Sequence, residues 1–217
     1  MNTQKQIRLL RLSLLDMAKL SQRAVDYAVK GYKLGSPEFC RFVHRGEHEI
    51  RELRRKINDH CRRLFIETNS LRHDPLGEDP YADTNHRFVL STLRISTALQ
   101  AASTAAAEIA HHTLLSLDNV RFPGSPTLDK FCRLVNRLMS LCIVALFKEE
   151  VSHAEAVLQN RELACIFENP SVRHRRDELP ISGNLKQIAA QVNEIAGAII
   201  YWLEGTECVL ESPTSAV

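Results

Sequence analysis

Leu93-Arg-Ile-Ser-Thr-Ala-Leu-Gln-Ala-Ala-Ser-Thr-Ala-Ala-Ala-Glu-Ile-Ala110 recurs downstream as Leu179-Pro-Ile-Ser-Gly-Asn-Leu-Lys-Gln-Ile-Ala-Ala-Gln-Val-Asn-Glu-Ile-Ala196. Without a gap, Leu93, Ile95, Ser96, Leu99, Glu108, Ile109 and Ala110 align with Leu179, Ile181, Ser182, Leu185, Glu194, Ile195 and Ala196. Shared helical patterning accounts for the apolar matches but not for Ser96/Ser182 or Glu108/Glu194. The stretch therefore reads as one copy of an internal repeat.

Around the first copy, the pattern predicts a helix from about His86 to Leu117. Its middle is unusually small, with Ala98, Ala101, Ala102, Ser103, Ala105, Ala106 and Ala107. Small side chains let neighbouring backbones approach, which places this helix centrally. Upstream, Ile7, Leu10, Leu14, Met17, Leu20, Ala24, Tyr27 and Ala28 recur three or four apart and predict a helix over 6–34. Gly31 and Gly35 weaken its end, and Ser36-Pro37 restarts the chain with a cap and a proline at the first helical position. The next helix is expected over 37–67, with Phe39, Val43, Ile50, Leu53, Ile57, Cys61, Leu64 and Phe65 as its buried stripe. Its other face alternates arginines with Glu47, Glu49, Glu52 and Asp59 at helical spacing, as an exposed helix does. Thr68 to Asn85 reads as a polar loop.

Past the turn Phe122-Pro-Gly-Ser-Pro126 the plan restarts. An apolar helix is expected over 128–148 and a shorter, more charged one over 149–167. Asn169-Pro170 breaks the latter, Val172 to Glu178 is a charged connector, and the second repeated helix spans 182–210 with Ser182 as its cap. Ser212 to Val217 is a polar tail. The expectation is an all-α six-helix bundle made of two three-helix repeats, residues 1–118 and 126–211, sharing one core.

The composition fits that plan. Of 217 residues, 44% are hydrophobic and 25% charged, and only 8 Gly and 8 Pro leave room for few turns. The net charge of +2 creates no field that would point to nucleic acid or a membrane surface. No apolar run approaches the length of a membrane span, and the N-terminus lacks an apolar signal core, so the cytoplasm is the expected compartment. Six cysteines without a Cys-x-x-Cys pair, mostly between apolar neighbours, read as buried hydrophobes.

At the repeated helices the chain resembles the PhoU family of phosphate-signalling regulators. Leu93-Arg-Ile95, Leu99 and Ile109-Ala110 fit the family's third helix. Leu185, Ile188 and Ile195-Ala196, followed by Ile199-Ile-Tyr-Trp-Leu-Glu-Gly205, are similar to its second copy. Leu14-Leu-Asp-Met-Ala-Lys-Leu20 and Val43 to Ile57 resemble the family's first two helices. The resemblance implies two three-helix bundles side by side, a homodimer, and a role in restraining phosphate uptake or the signalling that responds to it. The implied partners are a phosphate ABC-transporter ATPase subunit, a sensor histidine kinase, or both. The family's Glu-x-x-x-Asp pairs put two carboxylates one helical turn apart, a geometry that holds metal cations. Here those positions carry Gln100 and Thr104 in one copy and Lys186 and Ala190 in the other, so neither a metal nor another cofactor is expected.

Two other metal patterns compete. His44-Arg-Gly-Glu-His48 matches a zinc-protease motif, but Gly46 interrupts it and no third-ligand segment accompanies it. Glu108-Ile-Ala-His111 and Glu150-Val-Ser-His153 are both Glu-x-x-His, the pairing that ferritin-like di-metal oxidase or storage bundles carry. That fold needs a further Glu from each of two helices, for which Glu47 or Glu52 and Glu204 can be nominated. Arg173, Arg175 and Arg176 around His174 read as exposed connector charges, with an anion-holding cluster as the alternative. No phosphate loop or nucleophile elbow occurs, and nothing orders a Cys–His pair, so no catalysis is expected. The expected contact face for a protein partner is the basic side of the second helix, with Arg51, Arg54, Arg55 and Arg62.

Overall fold

A computed structural model describes residues 3–71, 82–117, 125–162 and 178–206. The chain is all-α, with six helices bounded among the described residues and no strand among them. They are α1 (Thr3–Leu34), α2 (Pro37–Leu71), α3 (Ala82–Ser116), α4 (Pro126–Lys148), α5 (Val151–Leu158) and α6 (Leu179–Glu204).

Helix ends follow local chemistry. The α1–α2 corner turns on Gly35 at φ 59°, and the Ser36 N–H reaches back to the Gly31 carbonyl at 3.0 Å. Pro37 then opens α2 where a missing N–H costs nothing. Ser125 caps α4, accepting from the Leu128 N–H at 3.3 Å. Gly205 closes α6 at φ 79°, and the guanidinium of Arg87 lies where a side chain at that position would stand.

α1, α2 and α3 pack against one another, as do α4, α5 and α6. The two groups join through α3 on α6, the most extensive helix pair, and through α1 on α4. Both junctions run antiparallel. Arg94 meets Glu194 at 3.8 Å, and the rings of Phe88 and Trp202 lie 4.9 Å apart, so opposite ends of α3 and α6 face each other. Along α1 and α4, Arg11 pairs with Glu149 at 2.6 Å, Gln22 donates to Ser140 Oγ at 2.8 Å, and Lys33 pairs with Asp129. One continuous core results, with Ala98, Ala102, Ala105, Ala106 and Ala110 of α3 buried beside Ile188, Ala189, Ile195 and Ala196 of α6. Six of the seven matched pairs of the repeated stretch agree in burial; the exception is Leu93, half-buried, against Leu179, 55% exposed at the start of α6. Ile95/Ile181, Ser96/Ser182, Leu99/Leu185, Ile109/Ile195 and Ala110/Ala196 are buried, and Glu108/Glu194 are exposed. Buried polar groups are few, and Ser21 and Ser103 share the Leu99 carbonyl at 3.3 and 2.8 Å.

Several expectations need correction. α1 starts at Thr3, α2 continues to Leu71 and α3 begins at Ala82, so both ends of the expected 68–85 loop are helical. Phe65 is 42% exposed rather than core, because Leu64 beside it takes the inward direction and successive helical residues diverge by about 100°. The charged helix expected over 149–167 is not continuous. Glu149 adopts a left-handed backbone at φ 60°, α5 begins only at Val151, and it stops at Leu158. Arg161 and Glu162 are helical again, and 163–167 lies outside the described residues. Ser182 is no cap. Pro180 suits a first turn, so α6 starts at Leu179, and Ser182 is buried within that turn, donating its N–H to the Glu178 carbonyl at 2.9 Å. α6 ends at Glu204; the expected extension to Leu210 reaches past Thr206, outside the described residues, as do the arginines around His174.

Candidate functional site

α2 and α3 pack as a long antiparallel seam whose outer edge gathers most of the sequence's candidate residues. At one end the rings of His44 and His111 lie 6.4 Å apart, edge to face. Further along, the Arg54 Nη1 donates to Gln100 Oε1 at 2.8 Å. Between those two contacts, Glu47 and Arg51 of α2 and Thr104 and Glu108 of α3 follow at helical spacing along their own helices. The spacing is helical on both sides, so one row of each helix lines the seam.

The basic face is an ordered row of charges. Arg51 lies 3.5 Å from Glu47, Arg55 2.9 Å from Glu52 and Arg62 3.7 Å from Asp59. All three arginines are exposed, and such pairs on a helix surface contribute only about 0.3–0.5 kcal/mol each. Arg54 differs, being half-buried with a neutral amide as its side-chain partner. Beside it a recess of about 360 Å³ opens, lined by Arg51, Arg54, Arg55, Asn58, Asp59 and Gln100.

The positions that the resemblance assigns to metal-binding carboxylates do not fit a metal. Gln100 is occupied by the Arg54 guanidinium, a cation already in place. Thr104 is exposed, and Lys186 and Ala190 are half-buried on α6. None of the four side chains is an anionic ligand.

The two Glu-x-x-His motifs fall on different parts of the molecule. Glu108 and His111 are exposed on α3. Glu150 sits in extended backbone at the α4–α5 junction, pairing with His153 at 3.1 Å, where an acidic residue favours a helix start. Glu47 belongs to the seam and Glu204 to the end of α6. Among the described residues no group of three His, Cys, Asp or Glu side chains is placed to hold a metal.

The cysteines have a packing role. Cys40, Cys61, Cys132 and Cys142 are buried and free; Cys165 and Cys208 lie outside the described residues. Burial pushes the Cys61 and Cys132 thiols up to about 12, and those of Cys40 and Cys142 also upward. Exposed apolar residues include Leu9, Leu12, Phe42, Leu90, Leu115 and Phe147. No helix among the described residues is long and apolar enough to cross a membrane.

The Arg54–Gln100 contact is absent from the expectations drawn from the sequence. The arginine row is spaced for one face of α2, but only the helix register shows that Gln100 lies opposite.

No protein-family model matches the chain, and no curated protein matches it in sequence. Its fold is nonetheless that of solved PhoU proteins. The crystal structure of PhoU from Pseudomonas aeruginosa matches with a TM-score of 0.77 at 20% identity, covering 94% of this chain and 100% of that one. The phosphate transport system regulatory protein PhoU from Streptococcus pneumoniae matches with a TM-score of 0.75 at 18% identity, covering 95% and 99% respectively.

Proposed function

We propose that this chain is a regulator of the PhoU type, restraining phosphate transport or phosphate-responsive signalling through protein contacts of its helix surfaces, without catalysis of its own. The observation that carries this reading is the end-to-end likeness to two PhoU structures, which leaves neither chain with a substantial unmatched part. The fold in turn reads as two copies of one helical trio, supported by the matched burial along α3 and α6.

The chain would work in the cytoplasm as a homodimer, touching a phosphate-transporter ATPase subunit, a sensor histidine kinase, or both. Its contact face is the basic side of α2, where Arg51, Arg54, Arg55 and Arg62 present a row of guanidinium groups to an acidic partner surface. The reading invokes no metal, because the resemblance's metal positions carry Gln100, Thr104, Lys186 and Ala190 here.

Affinity capture from phosphate-replete and phosphate-starved cells tests the proposal. The expected result is recovery of a phosphate-transport or phosphate-signalling protein, with recovery changing between the two conditions. Replacing the four arginines with Glu is expected to abolish it. Capture of no such protein in either condition overturns the function, and unchanged capture by the quadruple variant removes the contact face.

A further inference from the structure

The recess between α2 and α3 holds an imbalance of charge that a simple contact face does not require. The half-buried Arg54 has no carboxylate in ion-pair range among the described residues, and its Nε is buried without an acceptor. A guanidinium partly withdrawn from water and bonded to a neutral amide is an uncompensated positive charge. Arg51 and Arg55 line the same recess, their own carboxylate pairs being with Glu47 and Glu52, outside its lining. Asp59 is the one carboxylate among the described residues of that lining, and it faces Arg62 at 3.7 Å. Three guanidinium groups thus converge on about 360 Å³.

The other lining groups complete the chemistry. Gln100 gives its oxygen to Arg54, which leaves its amide NH₂ as a donor toward the recess. The exposed Asp59 carboxylate supplies an acceptor at the edge of the recess. A hydrogen-phosphate ion carries both anionic oxygens and an O–H, so it satisfies both kinds of group, whereas sulfate lacks the O–H. Guanidinium forks suit such a tetrahedral oxyanion.

We propose that this recess is a phosphate-type oxyanion site, with Arg54 as its central cation, Arg51 and Arg55 closing over the ligand, and Gln100 and Asp59 reading its hydrogen-bonding pattern. The choice of phosphate among hydrogen-bearing oxyanions rests on the regulatory role proposed above; the recess itself does not. The ligand is either free phosphate or the phosphoryl group of a larger molecule. Because the same arginines form the proposed contact face, a bound anion lowers the positive charge that a partner reads and couples occupancy to release.

Calorimetric titration of the full chain at low ionic strength and pH 7 tests the site with inorganic phosphate, sulfate and adenosine monophosphate as probes. Phosphate is expected to bind at least tenfold more tightly than sulfate. Arg54→Gln is expected to weaken phosphate at least tenfold and Arg54→Lys less, while Arg41→Gln, an exposed arginine of α2 outside the recess, changes it less than twofold. Should Arg54→Gln fail to fold, Gln100→Glu places a carboxylate beside Arg54 and is expected to abolish binding with the pair intact. Binding of adenosine monophosphate but not free phosphate, lost with Arg54, supports the site with a larger ligand. Absence of binding by both phosphate and adenosine monophosphate, equal affinity for sulfate, or indifference to Arg54→Gln and Gln100→Glu overturns it. The titration involves no partner and the capture experiment no added anion, so either proposal can fail alone.

Discussion

Glu178 joins the start of α6 to the start of α4 through Ser125. Its carboxylate accepts from the Ser125 N–H at 2.6 Å and the Ser125 hydroxyl at 2.9 Å, while its backbone carbonyl accepts from the Ser182 N–H at 2.9 Å. Ser125 is itself the cap of α4 and Glu178 is buried, so the starts of α4 and α6 are tied through one side chain. Ser125→Ala removes the cap and deprives a buried carboxylate of a donor, and should cost about 2 kcal/mol. Glu178→Gln keeps an acceptor and should cost about 1 kcal/mol. Urea denaturation measures both; a loss below about 0.5 kcal/mol for Ser125→Ala would show that water replaces the cap.

The small residues of α3 set how closely α6 can approach. Ala102 and Ala106 are fully buried, whereas Ala101 beside them is exposed. Ala102→Leu should destabilise by about 1–3 kcal/mol or more, since a close-packed interior must shift to admit it. Ala101→Leu should stay within about 0.5 kcal/mol. Thermal unfolding of the two variants separates overpacking from a general effect of leucine on the helix.

Two helical glycines should respond in opposite directions to the same change. A Cβ at Gly46 would meet nothing within 4 Å, so Gly46→Ala should stabilise by about 0.5–1 kcal/mol through helix propensity. A Cβ at Gly31 would lie 2.7 Å from Cys40 Sγ and 3.4 Å from the Cys40 backbone nitrogen. Gly31→Ala should therefore destabilise, and Cys40→Ala should relieve part of that loss. A double-mutant cycle in denaturant reads the coupling, and additive effects would show that the two do not touch.

The buried thiols should be silent toward alkylation. With Cys61 and Cys132 raised to about 12 by burial, roughly one thiol in ten thousand is ionised at pH 8, and the thiolate is the reactive form. Iodoacetamide at pH 8 should leave Cys61, Cys132 and Cys142 unmodified in the folded chain and label them in urea, as read by peptide mass mapping. The raised values also predict a pH dependence. Below the ordinary thiol range both states are protonated; above pH 9 the unfolded chain loses these protons first, so stability should fall from about pH 9 toward 12. A melting temperature that rises over that interval would contradict the burial.

Much of this molecule can be read from residue spacing, and the limits are instructive. The apolar rows of α1 and α4 identify helices because a 3.6-residue period has one structural meaning at that length. Helix ends were less legible. Glu149 takes a left-handed backbone that a glutamate would not advertise, and its ion pair with Arg11 comes from 138 positions earlier in the chain. Ser182 carries the side chain of a cap, yet Pro180 and the Glu178 carbonyl set the helix start ahead of it. The recess shows the same division. The arginine row follows from α2 alone, but which arginine is half-buried depends on what α3 sets against it.

The sequence by itself determined that the chain is helical, that one small-residue helix recurs, and that the resemblance's carboxylate positions hold Gln100, Thr104, Lys186 and Ala190. These are properties of residue type and spacing, fixed before the chain folds. Only the tertiary structure decided that Arg54 meets Gln100, that Arg11 stacks over Phe88 and Trp202 at 5.7 and 5.3 Å, and that Glu178 reaches Ser125. Each joins residues on separate helices. The outcome depends on helix register and crossing, which arise from packing the whole core at once rather than from any local run of residues.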